Sequence, residues 1–190
     1  FSTFGYEIVL KYPKVWVGYK NTIINTVVGT IMNVFTTTLV AYPMARREFQ
    51  GKGFYMFIFM FTMWFGGGLV PSYLLMSDLH LTNTRWALIL VGAISTYNMI
   101  IIRTYFKNSI PSELIEAARI DGCTELRTLF RIVLPLVKPA LATVAILLFQ
   151  NAWNSMEASK MFINTESMKT FAFYMNTLSN SGNGVAGGGI

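Results

Sequence analysis

The chain has 190 residues, 53% of them hydrophobic and only 13% charged, with a net charge of +6. Average soluble domains carry about 25% charged residues, so this composition excludes an ordinary water-facing surface and suits a bilayer. A single cysteine, Cys123, and a single histidine, His80, exclude a disulfide framework, a multi-cysteine metal site, a His-rich cluster and a Ser-His-Asp set.

Residues 1–20 read as an extracytoplasmic lead-in. Four apolar stretches follow, and a helix needs about 20 mostly apolar residues to cross a bilayer. Asn21–Ala45 and Gly53–Ser77 are each 25 residues without a charge. Trp86–Ile102 has 17 residues, flanked by Arg85 and Arg103, which can snorkel outward. Pro139–Met156 has 18 and carries Trp153 near its end, as an interfacial anchor would. Lipid offers no partner to exposed backbone groups, so these stretches predict helices and an all-α polytopic bundle with its core over residues 21–157.

Lys and Arg set the orientation. Nine fall on one side: Arg46, Arg47, Lys52, Arg103, Lys107, Arg119, Arg127, Arg131 and Lys138. Six fall on the other: Lys11, Lys14, Lys20, Arg85, Lys160 and Lys169. The nine-charge side, with its dense gap Arg46–Lys52, is expected to be cytoplasmic. This distribution in short gaps also accounts for the positive net charge without nucleic acid.

The stretches are not plain lipid-facing rods. Asn33, Thr36, Thr37, Asn98, Gln150 and Asn154 are polar groups in apolar runs. They serve either helix packing or the lining of a solute path, and the pattern leaves both readings open. Gly66-Gly67-Gly68 with Pro71 marks either the outer end of the second helix or a break within it. Residues 158–190 read as an outer segment, with Asn176–Gly189 a flexible loop because of its Asn, Ser and Gly content.

The segment 107–138 carries the most information. Pro111 suits the first turn of a helix, and Glu113 and Glu116 favour its positive end. Leu114, Ala117, Ala118 and Asp121 fall at i, i+3, i+4 and i+7, a small, nearly flat face. Gly122 is placed to end the helix in left-handed geometry. A bulky residue there is expected to be strained and to crowd the elbow. Thr124 can cap a second helix, along which Leu126, Leu129, Phe130 and Val133 form an apolar stripe, with Arg127 and Arg131 opposite. Pro135 is expected to stop that helix at Leu134. By periodicity alone, a cytoplasmic docking element and an amphipathic loop lying on the membrane are equally supported.

Glu116-Ala117-Ala118, Asp121-Gly122, Ile132 and Leu134-Pro135 closely resemble the EAA loop of ABC importer permeases. The family pattern is EAA, a nearby glycine and then I-x-L-P after a fixed gap. Every one of these positions is filled, and with the later Pro139 the register covers about 24 residues, with Cys123 where alanine is usual. Asn151-Ala152-Trp153-Asn154-Ser155 resembles an element of sugar-type permeases. Gly66–Pro71 resembles the branch related to lipoprotein-associated and oligosaccharide uptake systems.

The resemblance implies a permease subunit for carbohydrate uptake, with a permease for another solute such as peptide as the alternative. It implies three kinds of partner: an ABC ATPase dimer, a second and different permease chain, and an extracellular solute-binding protein. Glu116 would pair with a basic residue of the ATPase. Ala117 and Ala118 would allow close approach, Gly122 would set the elbow, and Leu134-Pro135 would seat the second helix. Family members have about six spans, so the chain reads as a piece lacking the first and the last. No Walker-type glycine loop is present, because Gly51-Lys52-Gly53 lacks the spacing. ATP and magnesium are therefore expected on the partner, with no cofactor on this chain. An embedded enzyme is disfavoured, because the four stretches hold no Asp, Glu or His.

Overall fold

A computed structural model describes residues 13–186. It is helical throughout, with no strand among the described residues. The first helix, α1, runs Pro13–Ala45, beginning well before the predicted span. The first twelve residues of the predicted lead-in lie outside the described residues. Helix α2 is Lys52–Trp64 and α3 is Leu69–Asp78. Thus the predicted Gly53–Ser77 helix is two helices, with Gly66-Gly67-Gly68 between them. Gly68 has φ +86°, outside any right-handed helix. Each glycine also costs about 1 kcal/mol in a helix interior. Pro71 then sits within the first turn of α3, where its missing N–H is harmless.

The predicted Trp86–Ile102 helix is likewise two pieces, α4 (Arg85–Leu90) and α5 (Thr96–Ser109). Ser95 starts the second by accepting the Asn98 backbone N–H at 3.3 Å. A local cap therefore restarts the helix inside an apolar run. Helices α6 (Ser112–Ile120), α7 (Glu125–Thr128) and α8 (Leu134–Leu136) belong to the loop described below. Then come α9 (Lys138–Trp153), α10 (Glu157–Phe162) and α11 (Phe171–Ala186). Among the described residues, only α1 is long and apolar enough to cross a membrane as one unbroken helix. Two broken pairs also qualify if each is counted as a single span: α2 with α3, and the run from Glu125 with α9.

The described residues gather into two compact units. One takes residues 13–30, 67–92 and 149–186. Its anchor is Asn21, which is buried. The Asn21 amide donates to the carbonyls of Ser167 (2.7 Å) and Lys169 (3.1 Å), and its oxygen accepts from Arg85 (3.0 Å). Asn83 adopts the left-handed conformation, which asparagine tolerates better than most residues. Its amide oxygen accepts the N–H groups of Asn164 and Thr165, and its nitrogen donates to the Thr165 hydroxyl.

The tail departs from the sequence reading. Residues predicted as a flexible loop from Asn176 are helical through Ala186; the last three residues of that predicted loop lie outside the described residues. The Phe171 N–H donates to the Thr22 hydroxyl at 2.8 Å, and Tyr174 packs against Gly18, so tertiary contacts override a loop-like composition.

The other unit takes residues 31–66 and 93–148. Its core joins Ala41 and Tyr42 of α1, Met99, Ile102 and Phe106 of α5, Leu129, Val133 and Val137 of the loop, and Val144 and Leu148 of α9. Met99, Ile102 and Phe106 follow helical spacing and present one face. In contrast, α2 has no buried residue, and Trp64 is 81% exposed. Such a continuous apolar surface suits lipid or neighbouring helices rather than water.

Candidate coupling loop

The loop lies within the second unit and starts at Pro111. This residue takes the position just before α6, with φ −61° and ψ 140°, and Glu113 lies in the first turn. The helix ends as its chemistry requires. Gly122 has φ +73°, its N–H donates to the Arg119 carbonyl at 3.0 Å, and the Cys123 N–H reaches the Ala118 carbonyl at 2.9 Å. These two bonds form a Schellman ending, which satisfies carbonyls that a helix end otherwise leaves bare.

The space around Gly122 differs from the crowding expected. A Cβ added there would meet nothing within 4 Å. The requirement for glycine is therefore one of backbone conformation, not of bulk. Gly122→Val is expected to lower transport at normal membrane abundance, since left-handed geometry costs an L-residue about 1–2 kcal/mol. Gly122→Asn, which enters that region more readily, should keep most of it. Equal uptake by the valine variant and the unaltered protein would remove the elbow's conformational role.

The predicted flat face divides. Ala118 is buried, Leu114 is half-buried, and Ala117 and Asp121 are exposed. The exposed face is instead Glu113, Glu116, Ala117 and Ile120, at i, i+3, i+4 and i+7. Ile120 is 87% exposed, the highest value of any large apolar residue described. Sequence reasoning passed over it because an isoleucine in an amphipathic helix is usually a core residue.

The second limb begins where expected, with Thr124 accepting the Arg127 N–H at 3.4 Å. It does not stop at Leu134. After α7, residues Leu129–Val133 wind as a π-helix, and the Leu134 N–H reaches the Leu129 carbonyl five residues back. The wider winding admits Pro135, which has no N–H to donate, and the run continues to Leu136. It also shifts the stripe. Leu129 and Val133 are buried, joined by Thr128 and Val137, whereas Leu126 and Phe130 are exposed. The Phe130 ring stacks on Phe35 with centroids 6.4 Å apart. Ile132 and Leu134 are half-buried and Pro135 is exposed. At Val137 the chain bends by 83° into α9.

An ionic cluster holds the elbow. Arg119 donates to Glu48 at 2.7 Å and to Glu125 at 3.0 Å. Glu125 also accepts from the Tyr42 hydroxyl at 3.1 Å and from Arg46 at 3.4 Å. The hydrogen bond from Arg119 is the chief reason both carboxyls lie below the usual carboxylate range. Groups lowered in this way contribute above their unfolded pKa and lose their contribution as pH falls through the folded one. The cluster is therefore intact at neutral pH. Its members are 71 and 6 residues apart, and the more distant pairing has no sequence signature.

The polar residues considered for a solute path fall in both units. In the second unit Thr37 donates to the Asn33 side chain at 2.9 Å. Thr36 donates to the Met32 carbonyl at 2.8 Å and also reaches the Ala93 carbonyl. Asn98 is buried at the start of α5. In the first unit Gln150 and Asn154 are exposed, and the Asn154 amide donates to the Gln150 carbonyl at 3.0 Å.

Apolar helices joined through a two-limbed loop are the architecture of an all-α polytopic membrane protein. Residues 15–181 match the family described as binding-protein-dependent transport system inner membrane component, and the chain belongs to that family. It is 38% identical over 164 residues to the polygalacturonan/rhamnogalacturonan transport system permease protein YtcP of Bacillus subtilis, covering 86% of this chain and 57% of that one. Identity to the protein LplC of the same organism is 40% over 164 residues, covering 86% and 55%. A solved bacterial ABC transporter involved in the import of the acidic polysaccharide alginate superposes with a TM-score of 0.86 and 34% identity, over 90% of this chain and 61% of that one. The chain thus spans a little over half the length of the curated relatives it matches.

Proposed function

We propose that this chain is a permease subunit of a binding-protein-dependent ABC importer for oligosaccharides, driven by a cytoplasmic ATPase that docks on α6. The observation that carries the reading is the exposed face of α6. It offers two carboxylates, a methyl group and a protruding isoleucine, on a helix ended by a left-handed glycine within the complete EAA register. A second permease chain completes the path, and a solute-binding protein delivers the cargo. The ATPase dimer binds ATP and magnesium, closes, and displaces both docking helices. Polysaccharide or oligosaccharide importers among the relatives support a carbohydrate cargo over peptide.

The test is purification of the full-length permease with the genomically adjacent ATPase, second permease and binding protein. Hydrolysis of ATP is then measured against a panel of neutral and uronate oligosaccharides and short peptides. Stimulation by an oligosaccharide supports the reading, whereas stimulation by peptides alone overturns the carbohydrate assignment.

Sidedness has its own probe. Cys123 lies in the elbow, half-buried and free. With any cysteines outside this region replaced, a membrane-impermeant maleimide should label it in inside-out vesicles and not in intact cells. Labelling in intact cells would reverse the topology.

A further inference from the structure

A nine-residue helix is marginal in isolation, because helices shorter than about 12–15 residues do not hold themselves in water. Helix α6 nevertheless buries only Ala118. Beside it lies a cavity of about 190 Å³, lined by Glu116 and Arg119 from α6, Arg46 and Glu48 from just past α1, and Phe106 and Lys107 from α5. Apolar packing on α6 is therefore thin, with Leu114 and Ile115 only half-buried. The side-chain hydrogen bonds that reach it converge on Arg119, in its last turn. One branch goes to Glu48, just past α1, and the other to Glu125, in the first turn of α7. Glu125 is in turn held from α1 by Tyr42 and Arg46. One guanidinium thus bridges the two limbs of the elbow and ties both to α1.

We propose that Arg119 is a positioning residue that locks the elbow to the end of α1, so that displacement of α6 reaches the membrane helix instead of being absorbed by rotation at Gly122. This rests on the docking reading above. The role is directional, not one of bulk stability. Arg119, Glu48 and Glu125 are each more than half exposed, and exposed ion pairs stabilise little. Both bonds leave one guanidinium nitrogen, Nη2, of a side chain that stays charged at all working pH.

The test uses the full-length permease in its complete transporter, in lipid nanodiscs, with a nitroxide on Cys123 as its only labelled thiol. Unaltered protein should give an immobilised spectrum. Arg119→Gln should add a mobile component and reduce oligosaccharide uptake at least about fivefold, the lower end of usual coupling effects, while the ATPase still co-purifies. Arg119→Lys should restore part of both. Glu48→Gln and Glu125→Gln, each removing one branch, should fall between. An unchanged spectrum in Arg119→Gln overturns the proposal, as does loss of the ATPase from that variant, which would make Arg119 a docking residue. Failure of the unaltered transporter to retain its ATPase would instead sink the docking reading, and the Cys123 spectra would still decide whether Arg119 holds the elbow.

Discussion

Glu116→Lys is expected to release the ATPase from the assembled transporter while leaving the permease folded and inserted. Glu116 is exposed and makes no hydrogen bond or ion pair with any described residue of its own chain. It is the fifth residue of α6, past the first turn where the helix dipole acts most strongly. Lysine is as good a helix former as glutamate. The substitution therefore costs the chain's own fold little, and its effect falls on the partner. Losing one side of a hydrogen-bonded interfacial charge pair costs about 2–5 kcal/mol, and reversal adds repulsion, so affinity should fall at least about thirtyfold.

Ile120→Ala should act in the same direction through a different contact, because the isoleucine is nearly bare and available to a hydrophobic pocket. Glu113→Lys at the first turn would disturb the helix end as well, and is the less informative variant. The measurement is the ATPase recovered per permease after affinity purification in mild detergent. Recovery at the unaltered ratio for both Glu116→Lys and Ile120→Ala would mean that this face of α6 is not the docking face.

The local geometry of the loop was largely legible because its signals are local. Gly122 and Thr124 act through bonds to residues three to five positions away, so their roles can be read from a short window. The EAA register is also local, and it led to the family that residues 15–181 match.

What could not be read depends on contacts between distant segments. Small size alone put Ala118 on the docking face, yet it is buried. The π-winding at Leu129–Val133 carries the helix past Leu134, which a 3.6-residue period cannot anticipate. The Arg119–Glu48 pair joins segments that composition treats as unrelated. In the apolar stretches, length was a poor guide to continuity. Ser95 restarts a helix inside one, and three glycines interrupt another. The tail failed for the opposite reason: Asn, Ser and Gly suggested a loop, yet Thr22 and Gly18 supply partners that a sequence window does not contain.

Those partners make Gly18 the position where the smallest change should have a large structural effect. A Cβ at Gly18 would lie 2.6 Å from Tyr174 Cδ2 and 3.1 Å from the Cα and N of Phe171. The tyrosine ring can swing, but the Phe171 backbone is held by the Thr22 hydroxyl and starts α11. Added bulk must therefore push α11 away from α1. Overpacking of this kind costs about 1–3 kcal/mol. Alanine would recover up to about 1 kcal/mol of that through its better helix propensity, so Gly18→Val is the sharper variant.

Gly29 supplies the control within the same helix, since a Cβ there meets nothing within 4 Å. Gly29→Ala should leave the unfolding temperature unchanged or raise it, through the entropy that glycine loses in a helix. Gly18→Val should lower that temperature and expose the α11 segment to protease. If the two variants unfold at the same temperature with the same cleavage pattern, the contact between Gly18 and Tyr174 does not hold α11, and the helical tail loses its explanation.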